Sequence, residues 1–141
     1  MKFEELHKDI KCDCISDCET DILNSYIRKL RKDIPSDMDF KSHWERGIMS
    51  EETDCEIVCS YKGISVNKIN EQNEEQIINK YKTTFNINPK KGAYYLKFKI
   101  IEKSGVYKFT PEEDDPSHYN FLKSDAFDIA DLNFVETVKF A

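Results

Sequence analysis

Four glycines and four prolines among 141 residues leave little material for flexible linkers or low-complexity tracts, and an aromatic content of 12% opposes disorder. No run approaches the roughly 18 consecutive apolar residues of a membrane span, and the start MKFEELHKDIKCDC lacks the apolar stretch of a secretory leader. The expectation is a cytoplasmic protein with no membrane partner. Bases are not in excess, with 21 against 27 acids and a formal net charge of −6. Nucleic acid, whose phosphates require clustered Lys and Arg, is therefore not an expected partner. H-E-x-x-H, G-x-S-x-G and a Gly-rich phosphate loop are missing too, which removes the usual signatures of an enzyme or of a bound cofactor. What is present is enough for one globular domain over residues 1–141. A chain of this size buries roughly 70% of its unfolded surface and needs no metal or disulfide to hold a core.

The apolar pattern divides this domain into elements. Ser16 and Glu19 form an S-x-x-E capping box, and Cys18, Ile22, Leu23, Tyr26, Ile27 and Leu30 follow at spacings of three and four. That predicts a helix over residues 17–33, stopped by Pro35. Residues 35–53 are polar and turn-like. In 54–61, Cys55, Ile57, Cys59 and Tyr61 alternate with their neighbours, which predicts a strand turning at Lys62-Gly63 into 64–66 as a hairpin. Asn73 to Gln76 is a second cap signature, predicting a helix over 73–83. Tyr94, Leu96, Phe98 and Ile100 alternate in the strongest strand pattern of the chain. With the turn from Glu102 to Gly105, residues 94–110 read as a hairpin. The tail 132–140 alternates again and reads as a last strand. The fold class is α+β: an antiparallel β-sheet packed by two main helices in a single layer. The expected core includes Ile22, Tyr26, Leu30, Ile57, Leu96, Phe98 and Ile100.

Five cysteines and three histidines are the candidates for metal or nucleophilic chemistry. Zinc needs its thiolates within roughly 4 Å of one another. Two cysteines four residues apart in one strand would be about 13 Å apart, which excludes Cys55 and Cys59 as joint ligands of one ion. Cys18 falls on the apolar face of the first predicted helix and reads as a small buried hydrophobe. An odd count without a leader argues against a disulfide framework. Cys12 and Cys14 remain, with one of His7, His43 or His118, as an alternative site for a small metal- or thiol-dependent enzyme or sensor.

Charge placement stands out more. Glu112, Glu113, Asp114, Asp115, Asp125, Asp128 and Asp131 face a single base, Lys123, so residues 111–131 hold the whole net charge of the chain. Steps of three between Asp125, Asp128 and Asp131 do not make a calcium loop. Tyr119 and Phe121 lie between the acids, and acid with aromatic is the composition of a docking face for a basic partner. Phe40, Trp44 and Ile48 are a second place where large apolar groups sit in a polar segment.

The order of helix, Trp-containing segment, hairpin and second helix, followed by YYLKFKIIEKSGVYKFTPEEDD, resembles the YezG-like immunity proteins, which neutralise secreted nuclease toxins. The resemblance covers residues 18–115. It implies a cytoplasmic, non-catalytic bacterial protein, without cofactor or metal, that binds a cognate basic toxin domain and masks its active surface.

Overall fold

The structure, a computed structural model, describes residues 1–141 apart from the side chain of residue 89. Six strands, β1 (Tyr26–Lys29), β2 (Ile64–Lys68), β3 (Tyr94–Lys99), β4 (Gly105–Phe109), β5 (His118–Lys123) and β6 (Asn133–Lys139), form one sheet in the order β4-β5-β2-β1-β3-β6. Every pairing is antiparallel. Two helices, α1 (Cys55–Lys62) and α2 (Glu74–Thr84), lie on it, so the class is α+β as the pattern indicates. No described helix is long and apolar enough to cross a membrane.

The sheet is curled. β3 and β4 stand four places apart, about 19 Å in a flat sheet at the usual strand spacing, yet only residues 100–104 join them and these include a turn closed by Ser104 N–H on the Ile101 carbonyl. Curling brings the two strands together around one interior cluster in which Tyr26, Val66, Leu96, Phe98, Tyr107 and Phe121 are fully buried. Tyr26 of β1 stacks on Tyr107 of β4 with ring centroids 3.8 Å apart. Residues 124–132 run from one end of the sheet towards the other, and Phe127, Ile129 and Leu132 close the cluster. Gly105 opens β4 at φ +153°, and a Cβ there would collide with the Leu122 carbonyl oxygen.

Alternation puts the opposite residues of each strand on the outer face. There α2 covers Ile27, Tyr95 and Phe140 with Ile77 and Tyr81. Phe3, Leu6 and Cys14 of the N-terminal segment, with Cys59 of α1, cover Val106 and Leu122.

Several sequence expectations are overturned. Residues 17–33 are not a helix: β1 occupies their middle, and Ile22 and Leu23 are exposed. Asp21 organises this stretch instead, its carboxylate accepting from Leu23 N–H (3.1 Å), Asn24 N–H (3.0 Å) and the Tyr26 hydroxyl (2.8 Å). β1 is buried on both faces, so its adjacent Tyr26 and Ile27 fit a helical spacing as readily as a strand. Residues 54–61 are helical rather than a strand, with Asp54 accepting from Glu56 N–H at 2.9 Å as N-cap. Ile57 points outward and is 39% exposed. Residues 94–110 contain two strands but no hairpin: β3 pairs with β1 and β6, and β4 with β5. The helix near 73–83, the strand 94–99 and the tail strand are where the pattern placed them.

The cysteines also differ from expectation. Cys12 is bridged to Cys55 and Cys14 to Cys59, with Cα–Cα distances of 5.5 and 5.4 Å. The 13 Å separation assumed for a strand does not apply. Four residues of helix rise about 6 Å and two of near-extended chain about 6.6 Å, so C-x-C matches C-x3-C and two bridges form side by side. A loop of 43 residues closed in this way is worth about 4 kcal/mol in chain-entropy terms. The second bridge closes only a short ring and adds less.

Two outcomes are expected. Urea unfolding with and without reductant should show a lower midpoint on reduction. Removing one bridge (Cys12→Ser with Cys55→Ser) should cost less than then removing the other, whereas an unchanged midpoint in reductant would refute the pairing. For Asp21, burial raises the carboxyl pKa, but bonds from Asn24, Tyr26 and Leu23 outweigh it and bring it from 3.8 down to about 2. A depressed folded-state value stabilises above the unfolded value and is lost as pH falls through the folded one. Stability worth about 2 kcal/mol should therefore disappear between roughly pH 4 and pH 2, a loss that acid titration of Asp21→Asn should not show.

Candidate functional site

Between the two helices the outer face of the sheet changes character. Ser65, Asn67, His118 and Asn120 replace the apolar residues found under α2 and the N-terminal segment, and the pairs Ser65–Asn120 and Asn67–His118 lie directly across β2 and β5. A polar stripe under partial cover is costly unless it is bonded or used. Asn67 is fully bonded: its Nδ2 donates to Asp115 (2.7 Å) and Ser117 (3.1 Å), and its Oδ1 accepts from the Tyr81 hydroxyl (2.8 Å). His118 holds its Nδ1 against Thr110, 2.7 Å from Oγ1 and 3.1 Å from the carbonyl.

Beside this stripe, between α1 and the β4–β5 pair, runs an open groove of about 730 Å³. Ile48 and Ile57, 51% and 39% exposed, line it together with Lys108. Large apolar groups gathered in one depression at such exposure are unusual for a surface that binds nothing. Glu56 and Glu112 stand at its sides, and Glu113 and Asp114 continue the exposed turn from Glu112.

The acidic segment is thus divided. β5 carries residues 118–123 between its two halves, so about 16 Å of strand separates Glu112, Glu113, Asp114 and Asp115 from Asp125, Asp128 and Asp131. The second group is engaged in the fold. Asp125 accepts from Glu4 and Glu5 N–H at 3.1 and 3.0 Å, Asp128 caps a short 3-10 turn through Ala130 N–H, and Asp131 lies 3.3 Å from Lys103. In the first group Asp114 pairs with Lys80 and Asp115 with Asn67. Tyr119 and Phe121 lie inside the curl, 9% and 0% exposed, and offer no surface to a partner. Phe109, paired across the strands with Tyr119 at 4.9 Å between ring centroids, lies on the same concave face and is 56% exposed at its open end. Of the second apolar group, Phe40 is core, Trp44 lies under Lys62 with the ammonium 4.3 Å from its ring, and Ile48 belongs to the groove.

Cys14 meets His7 only through its backbone N–H, which donates to His7 Nε2 at 3.1 Å. Cys12 and Cys14 are both bridged, and a sulfur held in a disulfide is neither thiolate ligand nor nucleophile. Cys18 is free, and burial raises its thiol to about 11. Among the described residues no three His, Cys, Asp or Glu side chains are placed to hold a metal ion.

Asp125 and Glu113 should accordingly differ. Asp125→Asn is expected to lower stability by about 1 kcal/mol through the lost anchor of residues 4 and 5, and Glu113→Gln to leave it unchanged. Equal effects in thermal unfolding would contradict the division of the segment.

No family model, curated protein or solved structure matches the chain.

Proposed function

We propose that the chain is a non-catalytic binding protein whose groove between α1 and the β4–β5 pair docks a basic protein domain. The observation that carries this is the joint presence of exposed Ile48 and Ile57 with Glu56 and Glu112 in one depression. Apolar anchors supply the buried centre of an interface, and flanking acids steer a cationic partner towards it. The concrete form of the reading is immunity against a nuclease-type bacterial toxin, the role that the YezG-like resemblance implies. Such a protein works by masking and needs no reacting group of its own.

The bridges bear on the compartment. Disulfides persist in oxidising surroundings, whereas an inhibitor of a nuclease acts in the reducing cytoplasm. Alkylation of the protein taken directly from cells separates the two: modified Cys12, Cys14, Cys55 and Cys59 fit cytoplasmic immunity, and four blocked sulfurs would remove the nuclease from the reading.

The functional test is to sequence the neighbouring genes and co-express the chain with any toxin-like domain they encode. Protection is expected, together with a complex stable to gel filtration. Ile57→Ala should speed dissociation. Glu112→Gln with Glu113→Gln should slow association and flatten its dependence on salt, since exposed charges act over a Debye length of about 8 Å. Cells left unprotected with no complex formed would refute the proposal.

A further inference from the structure

β1 and β2 pair only at Tyr26–Lys68 and Ile27–Asn67, and then part. The Arg28 guanidinium enters the gap, donating from Nη1 to the freed Ser65 carbonyl (2.6 Å) and from Nε to the Asp39 carbonyl. Both partners are neutral. The gap opens into a cavity of about 450 Å³ between α1, α2 and the turn that carries His43 and Arg46. Arg28, Arg31 and Arg46 are the only arginines of the chain, and all three line this cavity. Among the described residues none of them makes an ion pair. In a chain of net charge −6, which has acids to spare, this is a concentration of unpaired guanidinium.

The groups act on one another. Arg46 Nη2 donates to His43 Nδ1 at 3.1 Å, which assigns the ring proton of neutral His43 to Nε2 as one more donor. Burial, then Arg46 and Arg28, hold His43 below its ordinary value. Burial brings Arg28 down to about 10, with Tyr81 and Asp39 opposing and Arg46 adding to the shift. A desolvated cation such as Arg28 without a counter-charge is costly, and an oxyanion accepting from its remaining N–H groups and from the exposed Arg46 fork would supply that charge in the geometry Arg is suited to. The rest of the wall is mixed: Lys29, Lys41 and Lys80 add cations, Glu112 offers acceptors, and Phe85, half exposed with the Lys29 ammonium 5.4 Å from its centroid, offers its other ring face. The volume is that of a site for a small organic molecule.

We propose that this cavity binds a phosphate monoester of nucleotide size, with its phosphate against Arg28, Arg46 and His43 and its organic body towards Phe85 and Glu112. Glu112 and Asp115 also line the cavity. Asp115 is turned to Asn67, so the phosphate is confined to the arginine end. The proposal rests on the arginines rather than on the groove, although the two share His43 and Glu112 in their walls.

The test is thermal unfolding and calorimetry of the whole chain with millimolar adenosine monophosphate, inorganic phosphate or adenosine, each against chloride at matched ionic strength. Adenosine monophosphate should stabilise most, inorganic phosphate less, and adenosine no more than chloride. Arg46→Gln removes an exposed arm and should keep the fold while weakening the monophosphate about tenfold. Arg28→Lys tests the buried fork, and if that variant fails to fold, Arg46→Gln decides. No stabilisation beyond chloride, an unchanged affinity in Arg46→Gln, or a monophosphate that binds no better than inorganic phosphate would overturn the proposal.

Discussion

Tyr26 stacked on Tyr107 at 3.8 Å is the contact on which the rest of the architecture depends. The two rings belong to strands three places apart in the sheet, so they meet only if the sheet curls. Tyr119 meets Tyr26 edge-on with centroids 5.6 Å apart, and the Tyr26 hydroxyl donates to Asp21 at 2.8 Å. Two residues earlier, Glu19 exchanges both backbone bonds with Tyr107, at 2.9 and 2.8 Å. The short stretch from Glu19 to Tyr26 therefore spans the mouth of the curl, pairs the edge of β4 and enters the middle of the sheet. Aromatic contact, a charge-assisted bond and a covered strand edge act together here.

Curling fixes what the outer face can be. Its two flanks are buried by α2 and by the N-terminal segment with α1, each bringing apolar and aromatic residues onto others of the same kind. The centre receives neither helix. There β1 and β2 separate after two residue pairs, the carbonyl of Ser65 is freed, and Arg28 fills the space. Polar residues on β2 and β5, an apolar groove on one side and a basic cavity on the other follow from the same gap. Both share His43, Ser60, Ser65, Glu112 and His118 in their walls, so a ligand in one is placed beside a partner in the other.

The N-terminal segment is attached by several weak devices and two covalent ones. Asp125 holds the backbone of Glu4 and Glu5, Phe3 and Leu6 enter the cluster with Val106 and Leu122, and Lys62 donates to the Lys8 carbonyl at 2.7 Å. The bridges to Cys55 and Cys59 add α1 to the same unit. One wall of the groove is α1, so the state of these sulfurs and the shape of the groove are linked.

The sequence by itself determined the elements whose period is unambiguous. Tyr94, Leu96, Phe98 and Ile100 have one alternating pattern and one possible reading, and the cap at Asn73 with Ile77 and Tyr81 marks a helix in the same way. It also located the net charge in residues 111–131 and found no motif of catalysis. Only the tertiary structure decided the rest, because the deciding contacts are far apart in the chain. Whether Tyr26 and Ile27 belong to a helix or a strand depends on β3 and α2, which bury its two sides. Whether Cys55 and Cys59 are 13 Å apart or one helical turn apart depends on Cys12 and Cys14, more than 40 residues away. The pairing of β4 with β5 rather than β3 is set by the curl, and that in turn draws Tyr119 and Phe121 in. The three arginines are legible as a count in the sequence. Their convergence on one cavity arises only where two strands separate in the folded sheet.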